Sequence, residues 1–179
     1  MINEIRTRKS IRKFNDKVVE DEKMIQLIEA ASLAPSGSNS QPWQFIIVKS
    51  AETKEEIAKV NHNQMWMKDA FAYVVCVADI RCRIKDEEDV SVDENSDMFE
   101  VKQIIRDTSI AVSHLLLEAE SIGLSTCWTA WFRQEDIRNI LGIPNDKFVV
   151  GVVAIGYSDF TRKPTPRKSI REVLRYEQW

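Results

Sequence analysis

Hydrophobic positions alternate between helical spacing and unbroken runs, which predicts a chain of mixed helices and strands. Met24, Leu27, Ile28 and Ala31 share one face of a helix that Asp21 opens and that stops before Pro35. Residues 44–48 are aromatic and β-branched, and read as a strand. Ser50 caps a short helix carrying Ile57 and Val60. Residues 71–78 are almost wholly apolar, as a central strand covered on both faces must be. Residues 148–156 form a second such run, and Gly151 inside it marks either close packing or a bulge.

Asp97 followed by Glu100 has the spacing of a capping box. Behind it Ile104, Ile105, Ala111, Val112, Leu115, Leu116 and Ala119 give a long helix that is apolar around much of its girth. Such a helix lies deep in a core or in a subunit interface. Gly123 is placed to end it, and Gly142 to end a shorter helix over 133–141 that Pro144 cannot prolong. Ser169 and Glu172 predict a last capped turn. Beyond it Tyr176 and Trp179 sit on a charged tail and need a surface to dock on, either a partner subunit or their own domain.

Composition bounds this picture. With 179 residues, 44% of them apolar, the chain is expected to form one domain over 1–179. No apolar run approaches the length of a membrane span, and the first residues lack an apolar signal region, so a cytoplasmic protein is expected. The net charge of −3 hides a strong asymmetry. Arg6, Arg8, Lys9, Arg12, Lys13 and Lys17 face only Glu4 and Asp16 at one end; Arg162, Lys163, Arg167, Lys168, Arg171 and Arg175 face only Glu172 and Glu177 at the other. Residues 85–100 hold eight acids and one lysine, which reads as a solvated loop, an interaction surface or a lid. The basic excess is too small for a nucleic-acid surface but ample for one phosphate-bearing ligand. Cys76, Cys82 and Cys127 show no paired spacing, and His62 and His114 lack local partners, so no metal site is expected.

Chemistry concentrates in three clusters. Arg8-Lys9-Ser10-Ile11-Arg12-Lys13-Phe14 offers guanidinium forks and a hydroxyl that suit a phosphate, or else a solvated basic helix start. Residues 34–43 carry the neutral donors and acceptors of Ser36, Ser38, Asn39, Ser40 and Gln41, which suit the edge of a pyrimidine-like ring, or else a plain turn. Residues 123–132 put polar backbone and two tryptophans directly after the long helix, where they could line an aromatic ligand's pocket.

These residues carry a resemblance. Arg8-x-Ser10-x-Arg12-x-Phe14, Pro35-Ser36-x-x-Asn39-x-Gln41-Pro42-Trp43, Gly123-Leu124-x-Thr126-Cys127-Trp128 and the closing Gly156-Tyr157 with Pro164, Pro166 and Arg167 resemble, in order and spacing, the signatures of the nitroreductase family. The resemblance implies an α+β fold with a mixed, mainly antiparallel sheet flanked by helices, and an intertwined homodimer with FMN at the subunit interface. It implies that Arg8, Lys9, Ser10 and Arg12 hold the FMN phosphate and ribityl chain, with Arg167 and more weakly Lys168 from the other end. Pro35, Ser36, Gly37, Ser38 and Asn39 match the segment that a partner lays along the flavin. Asn63, or its neighbour Gln64, matches the polar side chain near the pyrimidine portion, and Thr126, Cys127, Trp128 and Thr129 match the segment near the N5–O4 side.

The activity so implied is reduction of nitroaromatic, quinone or related acceptors by NADH or NADPH in a ping-pong cycle. The cofactor carries the chemistry, so no side chain is assigned as catalytic. Alternatives are another redox reaction on the same fold (dehydrogenase, dehalogenase or flavin-modifying enzyme) or a non-catalytic flavin-binding protein. Two departures stand out. Ala130-Trp131 replaces a glycine-bearing turn, so Trp131 would narrow the substrate opening or redirect the chain. The acidic stretch stands where larger relatives place covering helices, and acid there disfavours anionic acceptors and phosphate-rich NADPH.

Overall fold

The computed structural model describes residues 1–84, 89–160 and 165–179. Lys85, Asp86, Glu87 and Glu88 of the acidic run, and Arg162, Lys163 and Pro164 near the basic end, lie outside the described residues. The elements run α1 (Asn3–Thr7), α2 (Asp21–Ser32), β1 (Trp43–Val48), α3 (Ala51–Val60), β2 (Ala72–Asp79), α4 (Phe99–Ser121), β3 (Ser125–Thr129), α5 (Gln134–Leu141), β4 (Lys147–Gly156) and α6 (Ile170–Val173). Short 3-10 turns occupy Gly37–Asn39, Met65–Asp69 and Ile80–Cys82.

The four strands form one sheet in the order β1-β2-β4-β3, every pair antiparallel. β2 and β4 are central, which is why their sequences lack polar alternation. On one face Val74, Cys76, Val153 and Ile155 pack with Leu27 of α2 and Val112 and Leu115 of α4. On the other, Tyr73, Val75, Val152 and Ala154 pack with Ile57 of α3 and Ile137 of α5. Burial inside this layer pushes the Cys76 thiol up to about 12, so it is an inert core side chain.

The expected helices and central strands are present, and Ser50 caps α3 by accepting from the Thr53 amide at 3.3 Å. Gly123 and Gly142 end α4 and α5 with φ of 76° and 64°, where any other residue would be strained. The Ser169–Glu172 capping box is formed. The one proposed at Asp97 is not: Met98 is the N-cap and no side chain caps it. Met98 packs on the cluster containing Val101 and Ile104, while Asp93 and Ser96 close their own turn ahead of it, so the helix starts beyond Asp97.

Both readings of Gly151 hold. Cys76 pairs with Gly151 and Val77 with Val149, a bulge that leaves Val150 extra. A Cβ on Gly151 would also stand 2.0 Å from Trp128 Nε1. Residues 125–129, read only as a polar cluster, add an edge strand, and the basic N-terminal stretch continues it: Ser10 bridges Thr126 in parallel and the Ile11 amide donates to Thr126 O at 2.9 Å. The tail stands exposed: Tyr176 is 81% exposed and Trp179 fully so, with Arg175 5.4 Å from the Trp179 ring.

Candidate functional site

The N-terminal arm is fixed at both ends. Past the Ser10–Ile11 pairing, the Asn15 amide donates to Tyr157 O at 2.9 Å, the Ser158 hydroxyl donates to Lys13 O at 2.6 Å, and Phe14 lies against Gly156. Held this way, the arm lines a cleft of about 520 Å³ with Arg6, Arg8, Lys9, Ser10 and Arg12, and Thr165 and Arg167 close it from the other end of the chain. The two basic ends of the sequence therefore meet. Lys168 is exposed and outside this lining. The donor set of five cations and two hydroxyls fits a phosphate dianion, which needs charge and several hydrogen-bond donors together.

Arg12 links the cleft to a polar network. Its guanidinium stands 5.6 Å from the Trp66 ring, whose other neighbour is Phe14 at 6.5 Å. Trp66 Nε1 donates to Gln64 Oε1 at 3.1 Å. Gln64 Nε2 donates to Thr129 Oγ1 at 2.8 Å and to Asn61 Oδ1 at 3.1 Å. Asn61 is fully buried, and its Oδ1 also accepts from the Thr129 hydroxyl at 3.0 Å and the Trp131 amide at 3.1 Å. Two donors and a backbone amide thus fix which way the carboxamide faces, and they leave its Nδ2 buried with no acceptor. Beside them His62 and Trp131 stack with centroids 3.7 Å apart and planes 11° from parallel.

The Met65–Asp69 turn that carries Trp66 is clamped from beneath. Lys54 Nζ, nearly buried, donates to Ala70 O at 2.5 Å and more weakly to the Lys68 and Phe71 carbonyls at 3.4 Å. Burial pushes the Lys54 ammonium below its ordinary value, and Asp69 opposes this. Backbone strain gathers at two places, this network and the 38–41 segment. Of six non-glycine residues with positive φ among the described residues, five are Ser38, Asn39, Gln41, His62 and Asn63. Such conformations persist where the surroundings over-determine them, as functional loops often do.

Of the segment 35–39, Pro35, Gly37, Ser38 and Asn39 are exposed and Ser36 is half-buried. Its frame comes from α4: the Gly37 amide donates to the Asp107 carboxylate at 3.1 Å, and Arg83 bridges Gly37 O at 2.8 Å and Asp107 at 3.2 Å. A Cβ at Gly37 would meet that guanidinium at 2.7 Å. These residues are not among those lining the basic cleft of their own chain.

Asn63 is exposed, whereas Gln64, its stated alternative, is a hub of the network. Thr126 and Cys127 are buried; Trp128 lies over Gly151 with its Nε1 buried and lacking an acceptor; Thr129 joins the network. Sequence reasoning missed Arg6 and Thr165 in the cleft, and Asn61 and Trp66 in the network. The one local signal for Asn61 is its place at the C-cap of α3, before two left-handed residues.

Among the described residues there is no metal-ligating cluster, and no helix is long and apolar enough to cross a membrane. Residues 5–157 match the model of the Nitroreductase family. A protein of Archaeoglobus fulgidus provisionally named NADH dehydrogenase/NAD(P)H nitroreductase is 31% identical over 158 residues, 86% of this chain and 82% of that one. The NADPH:FMN oxidoreductase of Vibrio harveyi, solved with NAD+, superposes with a TM-score of 0.88 at 25% identity, covering 98% of this chain and 76% of the other. An FMN-dependent nitroreductase of Clostridium difficile superposes with a TM-score of 0.80 at 28% identity over the whole of both chains.

Proposed function

The chain belongs to the nitroreductase family and is an FMN-dependent oxidoreductase; on that premise we propose that NADH or NADPH reduces it and that it then reduces nitroaromatic, quinone or related electron-poor acceptors in a ping-pong cycle. The observation that carries this reading is the cleft where Arg8, Ser10 and Arg12 meet Arg167, tied through Trp66 and Gln64 to the end of β3. Bound FMN would supply hydride acceptance at N5 and electron delivery to the acceptor.

The protein's part is binding, orientation and electrostatics. Arg8, Lys9, Ser10, Arg12 and Arg167 would hold the phosphate, with Lys168 a weaker outer charge. Gln64 and Thr129, fixed by Asn61, would present polar edges toward the ring system, with Asn63 beside them. Backbone groups of Thr126, Cys127 and Trp128 would supply the opposite wall. Backbone N–H donors held in this way would stabilise negative charge developing on a bound ring without reorganising, while the Gln64 and Thr129 hydrogens stay committed to the network.

The same reading makes residues 1–179 one FMN-binding domain of a cytoplasmic homodimer. Its support is the tail: Ile170, Val173, Leu174, Tyr176 and Trp179 are exposed, an apolar set that a second subunit would cover. Pro35, Ser36, Gly37, Ser38 and Asn39 would then serve the partner's site, which suits their frame on α4 away from their own cleft. The test is to incubate the purified protein with FMN, desalt it, and titrate the visible spectrum anaerobically with NADH and then NADPH. Retained flavin absorbance that bleaches with either nucleotide is expected; no retained flavin overturns the proposal.

A further inference from the structure

Residues 37–41 form a bow tied at both ends to residues 79–83, where β2 finishes. At one end the Asp79 amide donates to Pro42 O at 2.8 Å. At the other, both main-chain groups of Gly37 are engaged: its amide donates to Asp107 Oδ2 at 3.1 Å, and its carbonyl accepts from Arg83 Nη2 at 2.8 Å. Arg83 Nη2 also donates to Asp107 Oδ2 at 3.2 Å, which closes the circuit. Both charged side chains are 15% exposed, so water competes little for these bonds. The anchors are themselves fixed. Ile80 is fully buried and the Arg81 amide donates to Asp79 Oδ1 at 2.9 Å, while Asp107 stands on α4, whose Ile104 and Ala111 lie in the core. Between the tied ends Ser38, Asn39 and Gln41 hold φ of 54°, 53° and 44°. Gly37-Ser38-Asn39-Ser40-Gln41 has no apolar side chain, so packing cannot hold that shape. Hydrogen bonds hold it: those at the ends, and one across the base from the Gln41 amide to Ser36 Oγ at 3.0 Å.

We propose that Arg83 and Asp107 are positioning residues for the flavin site of the partner subunit: their grip on Gly37 keeps Ser38 and Asn39 in the left-handed shape in which they meet that site. This rests on the homodimeric FMN reading above. Residues in that region of backbone space relax once released, and a small displacement of a contacting loop weakens what it contacts. The pair carries no net charge, so it acts through geometry and not through charge at the ring. Gly37 belongs to the device. A Cβ there would meet Arg83 Nη2 at 2.7 Å, so Gly37→Ala opens the grip while leaving both charges in place.

The experiment builds mixed dimers from an Arg8→Gln chain and an Arg83→Ala chain, co-expressed with different tags and purified through both. FMN is titrated by the quenching of its fluorescence. The Arg83→Ala homodimer should bind FMN about five- to tenfold more weakly than wild type, the loss that one or two displaced hydrogen bonds give. In the mixed dimer both defects fall on one site, because the cleft of the Arg8→Gln chain receives the Arg83→Ala bow. The other site is wild type on both sides, so half of the sites should regain wild-type affinity. A general loss of stability in the Arg83→Ala chain would not be relieved at one site of two. Should that chain fail to accumulate, Gly37→Ala takes its place in the same pairing with the same expectations. A clamp-variant homodimer of wild-type affinity, or a mixed dimer without a wild-type site, overturns the proposal and leaves FMN binding by the wild type standing. A wild type that retains no FMN, or that is monomeric when loaded, overturns the underlying reading and the proposal with it.

Discussion

Replacing Asn61 by alanine removes one oxygen that three donors share. The Thr129 hydroxyl can rotate to another acceptor, and Gln64 Nε2 keeps Thr129 Oγ1 at 2.8 Å. The Trp131 amide, 3.1 Å from Asn61 Oδ1, has no such recourse. Stranding that amide costs about 1–3 kcal/mol, and weakening the other two bonds costs about 0.5–1.5 kcal/mol each. Losing the unpartnered Nδ2 gives back about 1 kcal/mol, since a buried donor without an acceptor is itself unfavourable. The net loss is about 1–5 kcal/mol, and at roughly 2–4 °C per kcal/mol for a chain of this size the melting temperature should fall by about 2–20 °C.

The assay is a thermal melt of the FMN-free protein, so that cofactor affinity does not enter. Asn63→Ala is the control. Asn63 is exposed and left-handed with a φ of 53°, so its replacement should cost about 1 kcal/mol of backbone strain and no more. FMN affinity, measured separately, should fall for Asn61→Ala because the Thr129–Trp131 segment loses its pin. An Asn61→Ala protein that melts within about 1 °C of wild type would refute the reasoning, because a tetrad of this burial cannot lose its centre at so small a cost.

Gly151→Ala drives a Cβ against Trp128 Nε1 and should destabilise by about 1–3 kcal/mol while changing the near-ultraviolet tryptophan signal; an unchanged denaturation midpoint would show that the indole yields freely. Arg8→Gln and Arg167→Gln should each weaken FMN binding about tenfold or more in a fluorescence titration and flatten its salt dependence, and equal affinity in both would remove the cleft as the phosphate site. Glu55 titrates at about 2 because the Lys59 and Lys68 ammonium groups each donate to it at 2.9 Å. Its folded value lies below its unfolded one, so the pairing stabilises fully above about pH 4.5 and is lost as pH falls toward about 2. Glu55→Gln should accordingly flatten the fall of the urea midpoint across that window, and an identical slope would argue against the pairing.

What the sequence disclosed was whatever a short window encodes. Met24, Leu27 and Ala31 mark α2 because a helix repeats its face every few residues, and 71–78 mark β2 because a strand buried twice needs no polar positions. Asp97 misled because a capping box is a local pattern, whereas the helix start was decided by where Met98 packs. The basic stretches were legible as phosphate chemistry, yet nothing local in either says that they meet; the bonds of Asn15 and Lys13 to Tyr157 and Ser158, past the end of β4, do that. Asn61 was invisible for the same reason. Its partners come from a turn three residues on and from a strand some seventy residues on, and no periodicity links them.

The anchoring of the arm explains how one cleft can hold so many like charges. Arg6, Arg8, Lys9, Arg12 and Arg167 repel one another, and a free segment would relieve that repulsion by swinging away. Backbone bonds to Thr126 and Tyr157 and the packing of Phe14 on Gly156 prevent this, and none of them uses a charged group. The arm is therefore held by main-chain bonds, neutral side-chain donors and apolar packing, and its position does not depend on neutralising the cleft. An anion entering the cleft relieves repulsion already present in the folded protein, so its binding is stronger than its direct contacts imply. Arg12 then has a second role, because its place over Trp66 makes the occupied cleft and the Gln64–Asn61–Trp131 chain parts of one rigid unit.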